Sequence, residues 1–97
     1  MPFIQIIDFH TSDIDALNAA EQEWEKATEG KRTVRRQIMT QDRNDPTRYL
    51  TIVFFDSYES AMENSNLAET KAGAEKFAAL SDGPPSFYDL DVVDDRS

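Results

Sequence analysis

"YLTIVFF", Tyr49 to Phe55, is the most strand-like run in the chain, and it is apolar on both sides. Side chains alternate between the two faces of a strand, so Leu50, Ile52 and Phe54 look one way and Tyr49, Val53 and Phe55 the other. "FIQIIDFH", Phe3 to His10, repeats the pattern, with Ile4 and Ile6 opposing Phe3, Ile7 and Phe9. A sheet with one face in water carries polar residues on that face, and these strands do not. Both faces of their sheet must therefore be covered.

Working outward, Ser12 offers an N-cap oxygen for a helix, with Asp15 three residues on and Asp13 suited to the positive end of the first turn. Ile14, Leu17, Ala20, Trp24 and Ala27 line one stripe of that helix, which leaves Glu21, Glu23, Glu25 and Lys26 mostly for solvent, and Gly30 fits its left-handed stop. Val34 to Thr40 alternates apolar and polar, "DRNDPTR" supplies loop residues, and the run from Tyr49 completes a hairpin. Ser57 can cap a short helix carrying Tyr58, Ala61 and Met62. A second helical stretch carries Phe77, Ala78 and Leu80 up to "SDGPP", and "SFYDLDVV" is the last strand. In "ESAMENSNLAET", Asn66 or Ser65 can cap that second stretch, with Glu69 as the capping-box partner of Asn66. The run is then a joint, although a helix break at Asn64 also frees N–H groups that can line the mouth of a pocket.

Strand, helix, strand, strand, helix, strand in 97 residues is the order of the ferredoxin-like α+β sandwich, an antiparallel four-stranded sheet with its helices on one face, and a single domain over 1–97 is expected. Two helices cover one face only. The apolar second face exceeds the few hundred Å² that a monomer usually exposes, and a two-fold copy of the same chain is the simplest cover.

Nineteen acidic against ten basic residues give a formal charge of −9, which makes nucleic acid and anionic membrane surfaces poor partners. Without cysteine there is no thiolate nucleophile and no Cys-based metal site. "MPFIQIIDFH" has no basic n-region, and nothing approaches the ~20 apolar residues of a membrane span, so a cytoplasmic protein is the expectation. No metal site is predicted.

The pattern from "PFIQIIDFHTSDIDAL" through "RYLTIVFFDSYESAMENSNLAET" to "DGPPSFYDLDVV" resembles the dimeric α+β barrel superfamily, and within it the small antibiotic-biosynthesis-monooxygenase-like proteins. The resemblance spans nearly the whole chain. It implies a homodimer in which two four-stranded sheets face each other around an apolar cavity. The implied activity is cofactor-independent oxidation of aromatic or polyketide-like molecules held in a cavity between sheet and helices, with no cofactor needed. Haem-degrading relatives use an Asn on the first strand and a Trp and an axial His on the helix after the third. Here the first strand carries Gln5, Asp8 and His10, and that helix has neither Trp nor His, so the resemblance does not extend to haem cleavage.

Among residues able to do chemistry, Asp8 and His10 stand two apart on one strand and leave the same face, ~7 Å apart. A neighbouring carboxylate would orient the imidazole as a base or favour its protonated form. Equally, both can be solvated residues at a strand end. "KRTVRR" gathers Lys31, Arg32, Arg35 and Arg36, and alternation sends Arg35 and Arg36 to opposite faces. Ion pairing accounts for them, while the sharper reading has Arg36 steadying an enolate oxygen. Tyr49, Thr51 and Phe55 mix phenol, hydroxyl and apolar bulk on one face of the third strand, the makeup of a ligand wall or a dimer interface. Trp24 reads as core.

Two functions follow. In one, a cofactor-independent monooxygenase uses His10 and Asp8 to move a proton and Arg36 to steady charge, with Tyr49, Thr51, Phe55 and Asn64 around a hydrophobic small molecule. In the other, the dimer is a non-catalytic binding or accessory protein. A hollow with Asp8 or His10 at its wall favours the first, and a space plugged by Phe55 and Tyr49 the second.

Overall fold

The computed structural model describes residues 2–97. Seven elements follow in order: β1 (Phe3–His10), α1 (Ile14–Ala27), β2 (Arg36–Gln41), β3 (Arg48–Phe55), α2 (Tyr58–Asn66), α3 (Ala68–Leu80) and β4 (Ser86–Asp91). The strands form one antiparallel sheet ordered β2-β3-β1-β4, with the helices on one side. This is the ferredoxin-like arrangement expected from the element order. No helix of the described residues is long and apolar enough to cross a membrane.

Register decides which side chains meet. Phe3, Ile7 and Phe9 of β1 stand opposite Phe55, Thr51 and Tyr49 of β3, and together they face the helices. Burial along β3 alternates accordingly: Tyr49, Thr51, Val53 and Phe55 are buried, while Leu50, Ile52 and Phe54 are only partly so. The core beneath the helices has two centres. Phe3, Val53, Phe55 and Ala61 form one, with Val34 and Met62 against it. Phe9, Leu17 and Tyr49 form the other, where Phe9 stacks on Tyr49 at 5.6 Å between ring centroids and meets the edge of Phe77 at 4.7 Å. Ile7 touches both.

Among the described residues nothing covers the opposite face. Ile4 and Ile6 of β1, Ile38 of β2, Leu50, Ile52 and Phe54 of β3 and Tyr88 and Leu90 of β4 share it, the last two being 49% and 44% exposed. The chain is 20 Å through its shortest axis, which accommodates one sheet and one layer of helices and no second layer.

Three local expectations are corrected. Asp13, not Ser12, caps α1, its Oδ1 accepting from the Ala16 N–H at 3.1 Å. The buried Thr11 hydroxyl sets that start: it accepts from the Asp13 N–H at 3.0 Å and donates to the Leu80 carbonyl at 3.0 Å, so the chain turns one residue later. Second, α2 runs through Asn64, Ser65 and Asn66, and the break falls on Leu67, whose extended backbone starts α3 with no side-chain cap. The expected Asn66–Glu69 capping box is absent, because Asn66 is the last residue of α2 and Leu67 takes the N-cap position; the Glu69 carboxylate pairs with Lys31 at 2.5 Å instead. The box that does form joins Ser57 and Ser60 at the start of α2.

The third correction concerns the buried stripe of α1. Ala27 is exposed and Glu21 is half-buried, so the stripe runs through Leu17, Glu21, Trp24 and Thr28. Thr28 is fully buried, with its hydroxyl donating to the Trp24 carbonyl at 2.7 Å, and it ends the helix from inside. Gly30 then takes the left-handed conformation expected of it, at φ 79°.

Candidate functional site

Between the two core centres the sheet and the helices fail to meet. The sheet offers Gln5 and Thr51 there, and α1 and α3 offer Ala20, Gly73 and Ala74, which leave space that larger apolar side chains would fill. The result is a cavity of about 250 Å³ inside one chain. Ile7, Val53 and Phe55 form its floor, Leu17 and Trp24 one wall, and Phe77 another. Phe87 of β4, 55% exposed, and Lys71 of α3 stand at its rim.

Polar groups converge on this apolar space from separate elements. Trp24 donates its indole N–H to Thr70 Oγ1 at 3.0 Å, which ties α1 to α3. That approach depends on Gly73, since a Cβ there would lie 3.3 Å from Trp24 Cδ1. Glu21 accepts a hydrogen bond from Gln37 Nε2 of β2 through Oε1. Burial pushes its carboxyl above the ordinary glutamate range; the Gln37 bond opposes the shift, and Glu25 and Arg32 act as weaker charges of opposite effect. Asn64, 7% exposed, borders the cavity from α2, and its Oδ1 has no hydrogen-bond partner among the described residues. An unpaired buried polar group costs about 1–3 kcal/mol.

The residues singled out from sequence divide between the two faces of the sheet. Thr51, Phe55 and Asn64 line the cavity. Tyr49 shares their face but lies further along β3, stacked on Phe9 with its hydroxyl accepting from Gln41 Nε2 at 3.2 Å. Asp8, His10 and Arg36 stand on the far face. Asp8 is held by Arg48 through two bonds, Nε to Oδ1 at 3.1 Å and Nη2 to Oδ2 at 2.8 Å, and that guanidinium keeps its carboxyl below the usual aspartate range. Arg48 also reaches Asp42 at 3.0 Å. His10 pairs with Asp45 at 3.4 Å, so the two residues are engaged by different partners. Arg36 lies over the Phe54 ring at 5.8 Å from its centroid, while Arg35, just before β2, pairs with Asp56.

Sequence reasoning missed Glu21, Gln37 and Arg48. Glu21 follows Leu17 by four and precedes Trp24 by three, a spacing that assigns it to the buried stripe. Gln37 sits at an inward position of β2, legible once the register on Val53 is known. Among the described residues no group of three or more His, Asp or Glu side chains stands close enough together to hold a metal ion.

Fold and hollow together define a class: a ferredoxin-like α+β protein with a largely apolar cavity between its sheet and its helices. Solved structures share this architecture. Rv0793 from Mycobacterium tuberculosis superposes over the full length of both chains with a TM-score of 0.80 at 15% identity. SnoaB, a cofactor-independent oxygenase from Streptomyces nogalater solved as an asparagine-to-alanine variant, matches 97% of this chain and 95% of its own at 0.80 and 9% identity. An antibiotic biosynthesis monooxygenase matches 97% and 100% at 0.74 and 15% identity. No protein-family model matches the sequence, and a search of curated proteins finds no match. The chain thus has the fold of the antibiotic-biosynthesis-monooxygenase-like proteins, as the sequence pattern led us to expect.

Proposed function

We propose that this protein is a cofactor-independent oxygenase acting on a small aromatic or polyketide-like molecule bound in the cavity, and that it works as a cytoplasmic homodimer. The observation that carries this reading is the buried, unpartnered Asn64 oxygen at the edge of an otherwise apolar space. An apolar pocket with a few convergent polar groups suits a flat aromatic ligand, and a ligand hydroxyl would satisfy that acceptor. SnoaB, a cofactor-independent oxygenase of the same fold, supports the choice of chemistry.

The bare sheet face supports the dimer. Two strands of six residues and two of eight, at ~4.8 Å between strands and ~3.3 Å per residue, give a footprint of about 450 Å² per copy. Two copies would remove about 900 Å² before protruding side chains are counted, which comes close to the ~1,000 Å² of a specific interface. Asp8, His10 and Arg36 lie on that face, and we assign them to assembly, with Thr51, Phe55 and Asn64 contacting ligand and Tyr49 supporting the wall.

The test is a thermal-shift series with 1,8-dihydroxyanthrone and its anthraquinone, followed by oxygen uptake. Ligand at 100 times its dissociation constant adds ~2.7 kcal/mol to stability. Stabilisation with oxygen uptake supports the oxygenase, and stabilisation without uptake would make the protein a binding or accessory dimer. No effect on melting at solubility-limited ligand would overturn both.

A further inference from the structure

The helices over the cavity are not held evenly. Of the described residues of α3 none is buried, whereas α1 buries Leu17 and α2 buries Ala61 and Asn64. The two halves of α3 are also attached in different ways. Its last turns are anchored in the core: Phe77 meets the edge of Phe9, Leu80 packs on the same cluster, and Lys76 pairs with Glu23 of α1. At its end the Leu80 carbonyl accepts from Thr11 Oγ1 at 3.0 Å, and the Asp82 N–H donates to the His10 carbonyl at 2.7 Å.

The first turns, residues 68–73, lie against empty space instead. Thr70, Lys71 and Gly73 line the cavity, and the side chains that tie this stretch down are polar: Thr70 Oγ1 accepts from the Trp24 indole, and Glu69 pairs with Lys31. Both ends of the stretch are weak points. Leu67 is extended, at φ −62° and ψ 136°, and a leucine side chain cannot cap the N–H groups that follow it. Gly73 is the poorest helix former in α3. Segments with few buried contacts open at lower free energy than the fold as a whole, and hinges fall at the ends of elements.

We propose that residues 68–73 form a lid that swings on Leu67 and Gly73 and admits small molecules to the cavity, latched shut by the Trp24–Thr70 hydrogen bond and the Lys31–Glu69 ion pair. α2 and the second half of α3 stay in place. The unpartnered Asn64 oxygen shares the cavity wall with this lid, which gives the motion a direction. Opening brings water to that oxygen, so an empty cavity favours opening. A bound molecule that donates a hydrogen bond to it favours the closed form, because it binds that form better. The lid serves the cavity whatever chemistry is done there, so its failure would leave the oxygenase reading intact.

The test needs no ligand. Residue-resolved amide exchange and acrylamide quenching of Trp24, the single tryptophan, are measured on wild type, on Thr70→Val and on a Lys31→Cys, Glu69→Cys variant joined by a short bismaleimide. The linker reacts only there, because the chain has no cysteine of its own. In wild type, amides 71–74 should exchange through an opening that low denaturant does not speed, while amides 77–80 follow global unfolding. Thr70→Val should speed exchange at 71–74 about 2- to 12-fold, the net worth of one hydrogen bond, and raise the quenching without moving 77–80. The linked variant should slow exchange at 71–74 and quench less than the same variant capped with N-ethylmaleimide. It also decides the matter should Thr70→Val fail to fold. Wild-type amides 71–74 that exchange only together with 77–80 would overturn the lid. So would unchanged exchange in a folded Thr70→Val, or quenching that the link leaves unchanged.

Discussion

Ile52 lies near the middle of the uncovered sheet face, opposite Ile6 on β1 and Ile38 on β2. Replacing it by aspartate is severe for a dimer and mild for a monomer, because in a single chain the position meets water. In the dimer each copy loses the burial of an isoleucine, ~2 kcal/mol, or ~4 kcal/mol for the pair. Each new carboxylate must also lose water or take up a proton, and protonation from an ordinary pKa of ~3.9 costs ~4 kcal/mol at pH 7, which caps the charge penalty. The dimer should therefore weaken by between ~4 and ~12 kcal/mol, a rise of at least about 10³-fold in dissociation constant. Sedimentation velocity reads this directly: wild type at twice the 11.1 kDa chain mass and Ile52→Asp at the single mass, with the far-UV spectrum unchanged. Lowering the pH from 7 to 5 should recover ~2.7 kcal/mol per carboxyl and move the variant back toward dimer. A variant that stays dimeric at pH 7, or a wild type that sediments as a well-folded single chain, would refute the covered-face argument.

Two further outcomes are expected. Asp8 has its pKa lowered chiefly by the Arg48 hydrogen bonds, so its contribution to stability is present above the unfolded aspartate pKa and lost as pH falls through the lower folded value. Arg48→Met should shrink the difference between urea midpoints at pH 7 and pH 3, and an undiminished difference would show that the ion pair does not shape the acid limb. At Gly73 an added methyl gains about 1 kcal/mol of helix propensity but presses on Trp24 at 3.3 Å. Gly73→Ala should leave the melting temperature within ~8 °C of wild type while shifting the emission of the single tryptophan. Unshifted emission would mean that α3 does not abut the indole.

The fold was legible because its signals are local and repeated. Two strands apolar on both sides and a hairpin bounded by Asp, Asn and Pro require only the period of two to be read. Which face meets the helices is a different matter. Phe3 and Phe9 go inward and Ile4 and Ile6 outward, yet both sets are apolar, and the larger rings are the ones the helices meet, Phe3 by α2 and Phe9 by α1 and α3. Asp8 and His10 follow Ile4 and Ile6 in the alternation, and on that outer face they meet partners distant in the chain, Arg48 for Asp8 and Asp45 for His10. The joint between α2 and α3 departs from the local pattern too: it falls on Leu67, and the glutamate that the pattern reserved for a cap pairs with Lys31.

Glu21 shows why the candidate site was harder to read than the fold. A glutamate on an amphipathic helix is assigned to solvent because burying its charge is costly. Here the side chain turned inward at the end of the helix is that of Thr28, its buried C-cap, and not that of the exposed Ala27, a rotation of the inward stripe that carries Glu21 beneath the helix, where Gln37 meets it. The rotation is written in the spacing Leu17, Glu21, Trp24, Thr28, three intervals of four, three and four. Hydrophobicity hides it, because two of the four residues are polar. A polar residue in step with a helix's buried stripe is thus a better pointer to a cavity than a pair of ionisable residues on a strand. The helix must desolvate the first to keep its packing, whereas the strand leaves the second free to find partners on either face.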